Sequence, residues 1–193
     1  MSPAADILHL DVMDGTFVPN ISFGFSVLDS LKGKCPIPMD AHLMVVDPAR
    51  WFERIAADGV SMCSFHLEAA PASASSCLNA IRSLGMKAGL AINPDVPVES
   101  LFEYIGKADY FLLMSVYAGF GGQKFIPETL SRVSSLKEEI RRRGFCTPIQ
   151  VDGGVYEGNI REIREAGVDI AVAGSAVFRS PDPVAAIRAL REE

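Results

Sequence analysis

Residues 9–15 read HLDVMDG, and they are the most informative segment of the chain for its fold. Alternate side chains of a strand share a face, so His9, Asp11 and Met13 lie together on one face of a predicted strand. Burying an imidazole and a carboxylate there is costly unless they pair with each other or bind a metal ion. An Asp-Gly turn signal follows directly and ends the strand. Both ionisable residues therefore lie near the carboxyl end of a strand, where parallel α/β enzymes carry their sites.

Short apolar runs alternate with longer amphipathic segments along the whole chain, which is the pattern of repeated βα units with a parallel sheet. The predicted strands lie at residues 7–12, 39–45, 62–66, 88–92, 110–116, 149–151 and 170–173. The predicted helices lie at residues 25–31, 49–57, 72–84, 98–105, 128–143, 159–166 and 183–191. Seven βα units in strict order, with no linker between them, predict a single domain over residues 1–193.

Two further strand ends carry the same residue types. In DAHLM, at residues 40–44, an acid, an imidazole and a methionine fall on one face, and QVDGG at residues 150–154 brings a carboxylate to a later strand end. For any one of these residues alone, a hydrogen-bonded polar group of the core is the simpler interpretation. Imidazole nitrogen and carboxylate oxygen together suit Zn²⁺, Fe²⁺, Mn²⁺ or Co²⁺, and their common position at strand ends favours a site. The candidate metal ligands are His9, Asp11, His42 and Asp152.

Glycine clusters follow the last predicted strands. Glycine lets backbone N–H groups approach an anion closely, and barrel enzymes often bind phosphate with the loops after their last strands. One glycine pair would indicate only a turn, whereas several clusters favour a substrate that carries a phosphate. The candidate phosphate-binding residues are Gly119, Phe120, Gly121 and Gly122, then Gly153 and Gly154, and finally Gly174 and Ser175.

Composition excludes several classes of partner. The formal net charge of −6 argues against nucleic acid, which needs a basic face. No apolar stretch approaches the roughly 20 residues that span a bilayer, and the first residues leave no room for a signal peptide. The four cysteines are scattered without metal-binding spacing, so we expect reduced thiols and a cytoplasmic location.

The motifs HLDVMDGTFVPNISFG, DAHLMV, FHLEA, GFGGQKF, QVDGG and AGSAVF resemble, in this order, those of the ribulose-phosphate 3-epimerase family. The resemblance implies a (β/α)8 TIM barrel, truncated here at the N-terminus to seven βα units because the family's first unit precedes HLDVMDG. It also implies an isomerase that interconverts D-ribulose 5-phosphate and D-xylulose 5-phosphate in the pentose phosphate pathway. The expected cofactor is one divalent metal ion (Zn, Fe, Mn or Co), and the expected assembly is a homodimer.

The resemblance gives roles to individual residues. It implies that His9, Asp11, His42 and Asp152 hold the metal, and that Asp11 and Asp152 are the catalytic acid and base. The implied substrate contacts are His42 and the glycine clusters, and the implied lining residues of the site are Met13, Met44 and Met114. Inverting carbon 3 requires removal of a proton beside a carbonyl and return of one to the opposite face. Two carboxylates on opposite sides, with a cation that stabilises a cis-enediolate, meet that requirement.

Some features leave alternatives open. Ala118 stands where the family has proline, so we expect a looser glycine loop. The chain could instead be an allulose-6-phosphate 3-epimerase, or an inactive truncated barrel that acts as a scaffold. Related phosphate-binding decarboxylases and synthases fit less well, because DAHLMV has histidine where they need lysine. His66 and Glu68 also share a face at a strand end, and we expect them to support the structure, with orientation of a metal ligand by His66 as the alternative.

Overall fold

The structure, a computed structural model, describes residues 4–22 and 24–192. Strands and helices alternate in the order that the sequence predicts. The strands are β1 (Leu8–Met13), β2 (Met39–Met44), β3 (Met62–His66), β4 (Lys87–Ile92), β5 (Tyr110–Met114), β6 (Ile149–Asp152) and β7 (Ile170–Val172). The α-helices are α1 (Phe25–Leu31), α2 (Phe52–Ala57), α3 (Ala74–Ser83), α4 (Glu128–Arg142), α5 (Glu157–Glu165), α6 (Ser175–Phe178) and α7 (Pro183–Glu192). Three segments are 3₁₀ helices: Pro48–Trp51, Leu67–Ala69 and Val98–Tyr104.

Within the described residues, the sheet has seven strands, which follow one another in chain order. The described strand pairs are all parallel. The α/β fold of seven βα units is therefore confirmed, and every predicted strand lies within two residues of its observed bounds. Parallel strands need a crossover between them, and the long amphipathic segments of the sequence provide it.

The helices differ from the predictions in three places. The first is the predicted helix at residues 49–57, which is divided between the 3₁₀ helix Pro48–Trp51 and α2. The predicted helix at residues 98–105 is the 3₁₀ helix Val98–Tyr104. Its β-branched and aromatic residues favour the α-helix weakly, and Arg143 Nη1 donates to the carbonyl of Phe102 at 2.7 Å. The sequence also gave no sign of α6, which is a single turn directly after Gly174. Such short turns lack the periodicity from which a helix is predicted.

The chain divides into two compact units. The first comprises Met1–Ala91 with Lys107–Asp109, and the second comprises Ile92–Gly106 with Tyr110–Glu193. The single domain over residues 1–193 stays a prediction.

The first unit buries both faces of β2 and β3, because every residue of these strands is buried. Ala41, Leu43 and Phe65 are fully buried members of its apolar core. Each fully buried Leu or Phe side chain contributes about 1.5–3 kcal/mol relative to an exposed one. The opposite face of β2 is buried as well but carries Asp40 and His42. These polar groups need partners, because an unpaired buried charge is costly.

Each unit has an aspartate at the amino end of the strands that accepts hydrogen bonds from a backbone N–H and from a cationic side chain. In the first unit, Asp109 Oδ2 accepts a hydrogen bond from the backbone N–H of Ala88 at 2.8 Å. The same carboxylate accepts from Arg82 Nε at 3.0 and 3.2 Å. Its own N–H donates to the Ala88 carbonyl at 2.8 Å. We call this arrangement of Asp109, Ala88 and Arg82 the first aspartate clasp.

The second unit repeats the device with different residues. Asp169 Oδ2 accepts from the Ile149 N–H at 2.8 Å and from Lys137 Nζ at 2.6 Å. The Asp169 N–H donates to the Ile149 carbonyl at 2.9 Å. This second aspartate clasp ties the start of β6 to α4. In both clasps the carboxylate satisfies a buried backbone donor, and a cation from a helix balances its charge.

All four cysteines are free. Cys63 in β3 is fully buried, and burial raises the pKa of its thiol well above the ordinary value. Cys146 is exposed. Among the described residues, none of the helices combines the length and apolar character that crossing a bilayer would require.

Candidate metal centre and active site

The register of β1 and β2 sets the polar residues of the first unit opposite one another. His9 lies opposite Asp40, Asp11 opposite His42, and Met13 opposite Met44. Residues opposite each other on neighbouring parallel strands point to the same face of the sheet. The alternation within each strand and the register between them therefore bring the predicted ligands of the first unit onto one face, near the carboxyl ends.

His9, Asp11 and His42 form a cluster in which the aspartate lies between the two imidazoles. Asp11 Oδ1 is 3.3 Å from His9 Nε2 and 3.2 Å from His42 Nδ1. The ligand atoms that these residues offer lie within 4.8 Å of one another. The side chain of Asp11 is 38% exposed, whereas those of His9 and His42 are 9% and 0% exposed. The cluster is therefore reached from solvent on the carboxylate side.

The surroundings set the protonation of this cluster. Burial raises the pKa of Asp11, but the hydrogen bonds from His42 and His9 outweigh it and hold the pKa well below the ordinary value. Burial lowers the pKa of His42 to about 4, against the opposing effect of its hydrogen bond to Asp11. At neutral pH an ionised carboxylate thus lies beside a neutral imidazole. Metal ligands must be deprotonated in this way before they can coordinate a cation.

The other nitrogen of each imidazole is hydrogen-bonded away from the cluster. His9 Nδ1 donates to Asp40 Oδ2 at 2.8 Å, and Asp40 is fully buried. His42 Nε2 lies 2.9 Å from His66 Nε2, and His66 Nδ1 lies 3.3 Å from Glu68 Oε1. Each ring thus keeps one nitrogen for the cluster and uses the other for a fixed contact. Asp40 is visible in the sequence as an acidic residue that precedes His42 by two positions and shares its face. No role was predicted for it.

This donor set fits a divalent cation. Two imidazole nitrogens and a carboxylate oxygen suit Zn²⁺, Fe²⁺, Mn²⁺ or Co²⁺, and ligating histidines usually donate their other N–H to a buried acceptor. The cluster of His9, Asp11 and His42 could therefore hold a metal ion.

Predicted site residues of the second unit lie at the ends of β5 and β6. Asp152 ends β6, is half-buried and lies opposite Met114, which is buried. The Ser115 N–H donates to the Asp152 carbonyl at 2.8 Å. The Ser115 hydroxyl is shared between the carbonyls of Asp152 and Gly153, at 2.8 and 2.6 Å. Ser115 was not predicted, and it fixes the backbone from which Asp152 projects.

Gly153 and Gly154 continue from Asp152 in a conformation that requires glycine. Their φ angles are 120° and 65°, in the left-handed region. A Cβ atom on Gly153 would lie 2.4 Å from Val116 Cγ2, and one on Gly154 would lie 2.4 Å from the Phe125 nitrogen. The absence of side chains here lets the backbone pass close to its neighbours.

The loop around Gly119, Phe120, Gly121 and Gly122 is held by side-chain amides. Gln123 Nε2 donates to the carbonyls of Tyr117 and Phe120 at 2.7 and 2.8 Å. Ala118 N–H donates to Asn93 Oδ1 at 3.0 Å, a bond that a proline at this position could not make. Gly174 lies between β7 and α6 and is exposed, and Ser175 is the first residue of α6.

Seven parallel βα units with an imidazole–aspartate cluster at strand carboxyl ends are features of a TIM-barrel enzyme. Among solved structures, the chain is similar to a crystal structure of 3-hexulose-6-phosphate synthase with a TM-score of 0.74 at 19% sequence identity. That match covers 97% of this chain and 86% of the other, and it supports the fold.

Sequence comparison identifies the family. The chain matches the model of the Ribulose-phosphate 3 epimerase family over residues 1–178. It is 43% identical over 189 residues to Ribulose-phosphate 3-epimerase of Mycobacterium tuberculosis (strain ATCC 25618 / H37Rv), covering 98% of this chain and 82% of the relative. It is 43% identical over 194 residues to the Escherichia coli (strain K12) protein of the same name, covering 100% of this chain and 86% of the relative. The chain belongs to the ribulose-phosphate 3-epimerase family, and the prediction of an enzyme of this family is confirmed.

Proposed function

We propose that this chain interconverts D-ribulose 5-phosphate and D-xylulose 5-phosphate by proton transfer at carbon 3, within the pentose phosphate pathway. The observation that carries the proposal is the cluster in which an ionised Asp11 lies between the imidazoles of His9 and His42. Family membership supports this reaction, and the cluster contains residues that could serve as a base and as metal ligands.

The proposed metal ligands are His9, Asp11 and His42 together with Asp152. A bound divalent cation would supply Lewis-acid polarisation of the substrate carbonyl. His9 would coordinate through Nε2 and His42 through Nδ1, because their other nitrogens contact Asp40 and His66. Zinc, iron, manganese and cobalt are all compatible with these ligands.

Asp11 and Asp152 are the proposed acid–base pair. In one direction, an ionised carboxylate takes the proton from carbon 3, and the electron pair of the broken C–H bond passes into a cis-enediolate. The protonated partner then returns a proton to the opposite face, so that the pair ends with its protonation states exchanged. The reverse reaction uses the two carboxylates in the opposite order. The depressed pKa of Asp11 keeps it ionised before substrate binds.

The remaining residues would bind and enclose the substrate. Positive φ angles at Gly119, Gly122, Gly153 and Gly154 give backbone N–H groups freedom to turn toward a phosphate. Gly174 and Ser175 follow the carboxyl end of β7 at the start of α6, and barrel enzymes often bind phosphate after their last strands. Met13, Met44 and Met114 would line the reacting carbons with apolar, polarisable side chains. A homodimer in the cytoplasm is the proposed state of the chain.

The test is turnover of D-ribulose 5-phosphate by the purified full chain, before and after removal of metal, in D₂O. We expect D-xylulose 5-phosphate that carries deuterium at carbon 3, loss of turnover with chelator, and recovery on addition of one of the four cations. Asp152→Asn should abolish the exchange, and Arg161→Ala, a surface change in α5, is the matched control. Faster turnover of allulose 6-phosphate would overturn the proposed substrate. A chain that binds no cation and shows no exchange would overturn the enzyme mechanism in favour of a scaffold.

A further inference from the structure

We infer that His66 and Glu68 are positioning residues that hold His42 in the tautomer and orientation required for metal binding. The inference rests on the proposed function, since it assumes that His42 is a ligand. It concerns two residues outside the proposed set of metal ligands and substrate contacts.

The contacts form a continuous line from the cluster into the first unit. Asp11 Oδ1 contacts His42 Nδ1 at 3.2 Å, His42 Nε2 contacts His66 Nε2 at 2.9 Å, and His66 Nδ1 contacts Glu68 Oε1 at 3.3 Å. His42 and His66 are both fully buried, whereas the Glu68 side chain is 25% exposed. The line therefore runs through two buried rings to a carboxylate near the surface.

The number of protons on the two imidazoles permits one arrangement of donors and acceptors along this line. If His42 Nδ1 coordinates a cation, the only proton of the neutral ring is on Nε2, which donates to His66 Nε2. His66 then carries its own proton on Nδ1 and donates it to the Glu68 carboxylate. Each neutral imidazole has one proton and each donor has one acceptor. No other tautomer of His66 accepts from a metal-bound His42.

Packing fixes the ring of His66 as well. It stacks on His42 with centroids 5.0 Å apart and an interplanar angle of 24°. Phe17 contacts His66 with centroids 4.9 Å apart and an angle of 49°. The turn that presents Phe17 is itself held, because Asp14 Oδ1 accepts from the Phe17 N–H at 2.8 Å and Asp14 Oδ2 accepts from the Val46 N–H at 2.8 Å. His66 is thus clamped between a candidate ligand and the turn after β1.

The experiment is calorimetric titration of the metal-free full chain with Mn²⁺ and Co²⁺, together with the visible absorption spectrum of the Co²⁺ form. His66→Phe keeps a buried ring but removes the acceptor for His42, and we expect affinity to fall about 10- to 100-fold with an altered Co²⁺ spectrum. His66→Gln offers an amide oxygen to His42 and should recover part of the loss. Glu68→Gln keeps an acceptor without the charge and should weaken binding less than His66→Phe.

Ser64→Ala is the matched control. Ser64 is fully buried on the same strand and lies opposite His42, yet its hydroxyl makes no hydrogen bond within the described residues. Removal of this hydroxyl should leave affinity and spectrum unchanged. If the unaltered chain binds one cation and His42→Ala does not, while the His66 and Glu68 variants bind as tightly as the unaltered chain, the inference is wrong and the proposed function stands. If the unaltered chain binds no cation, both fail.

Discussion

The carboxyl and amino ends of the strands use the same residue types for different purposes. At the carboxyl ends of β1 and β2, Asp11 lies between two imidazoles and is partly open to solvent. At the amino ends, Asp109 and Asp169 each accept from a backbone N–H and a cationic side chain. An ionised aspartate beside the neutral imidazole of His42 can still bind a cation, whereas the charge of an aspartate within a clasp is already balanced by a cationic side chain. We therefore expect a functional separation of the two ends, in which residues at the carboxyl ends serve chemistry and residues at the amino ends serve stability, as is common in barrel folds.

The largest expected effect is on turnover at the carboxyl ends. Asp11→Asn removes the carboxylate that is proposed both to bind the cation and to move the proton, so turnover of D-ribulose 5-phosphate should fall by about 10²- to 10⁴-fold. The measurement is the steady-state rate, with circular dichroism to confirm the fold. If Asp11→Asn lowers the thermal unfolding midpoint by more than the clasp variants do, the functional separation of the two ends is wrong.

The next effect concerns stability at the amino ends. Asp169→Ala leaves the buried N–H of Ile149 without its carboxylate acceptor, and Asp109→Ala does the same to Ala88. Each should lower the free energy of unfolding by about 1–3 kcal/mol, or roughly 2–4 °C of melting temperature per kcal/mol. The measurement is chemical and thermal denaturation.

Asn at either clasp position keeps an acceptor and should cost less than Ala. Metal affinity and turnover per folded molecule should not change in any clasp variant. A tenfold loss of metal affinity would show that the two ends are coupled.

A smaller effect tests whether the carboxyl ends are free of structural roles. Ser115→Ala removes the hydroxyl shared by the Asp152 and Gly153 carbonyls, and should cost about 0.5–1.5 kcal/mol of stability. Because this backbone carries Asp152, we also expect a raised KM for the sugar phosphate. Unchanged kinetics with reduced stability would assign Ser115 to structure alone.

The smallest effect belongs to the surface. Arg161 and Glu165 form an ion pair in α5 with side chains 77% and 64% exposed. Exposed pairs of this kind contribute about 0–1 kcal/mol, so Arg161→Ala should leave both turnover and melting temperature close to those of the unaltered chain. A clear loss of turnover would give α5 a role in the chemistry, and a clear loss of melting temperature would give it a role in stability.

Much of the fold could be predicted because short apolar runs and amphipathic segments are local signals. The seven strands follow from the apolar runs, and the face shared by His9 and Asp11 follows from the alternation of side chains along a strand. The 3₁₀ form of Val98–Tyr104 could not be predicted, because one of its carbonyls accepts a hydrogen bond from Arg143, which is distant in sequence. Local pattern carries no information on such a contact.

The candidate site, like the fold, could be predicted only in part from the sequence. Strand faces could be predicted, but the register that sets His9 opposite Asp40 is a property of two strands together. The contact between His42 and His66 is harder still, because the residue opposite His42 is Ser64. It depends on how two side chains lean along their strands, which the order of residues does not specify.

The buried thiol of Cys63 can be used to measure how often the first unit opens locally. A thiol whose pKa is raised by burial and which has no exposure is inert to alkylating reagents while β3 is in place. Alkylation of Cys63 would therefore proceed only through transient opening of the first unit, and its rate would measure the free energy of that opening. Cys146, which is exposed in the second unit, reacts without opening and provides the reference rate in the same sample.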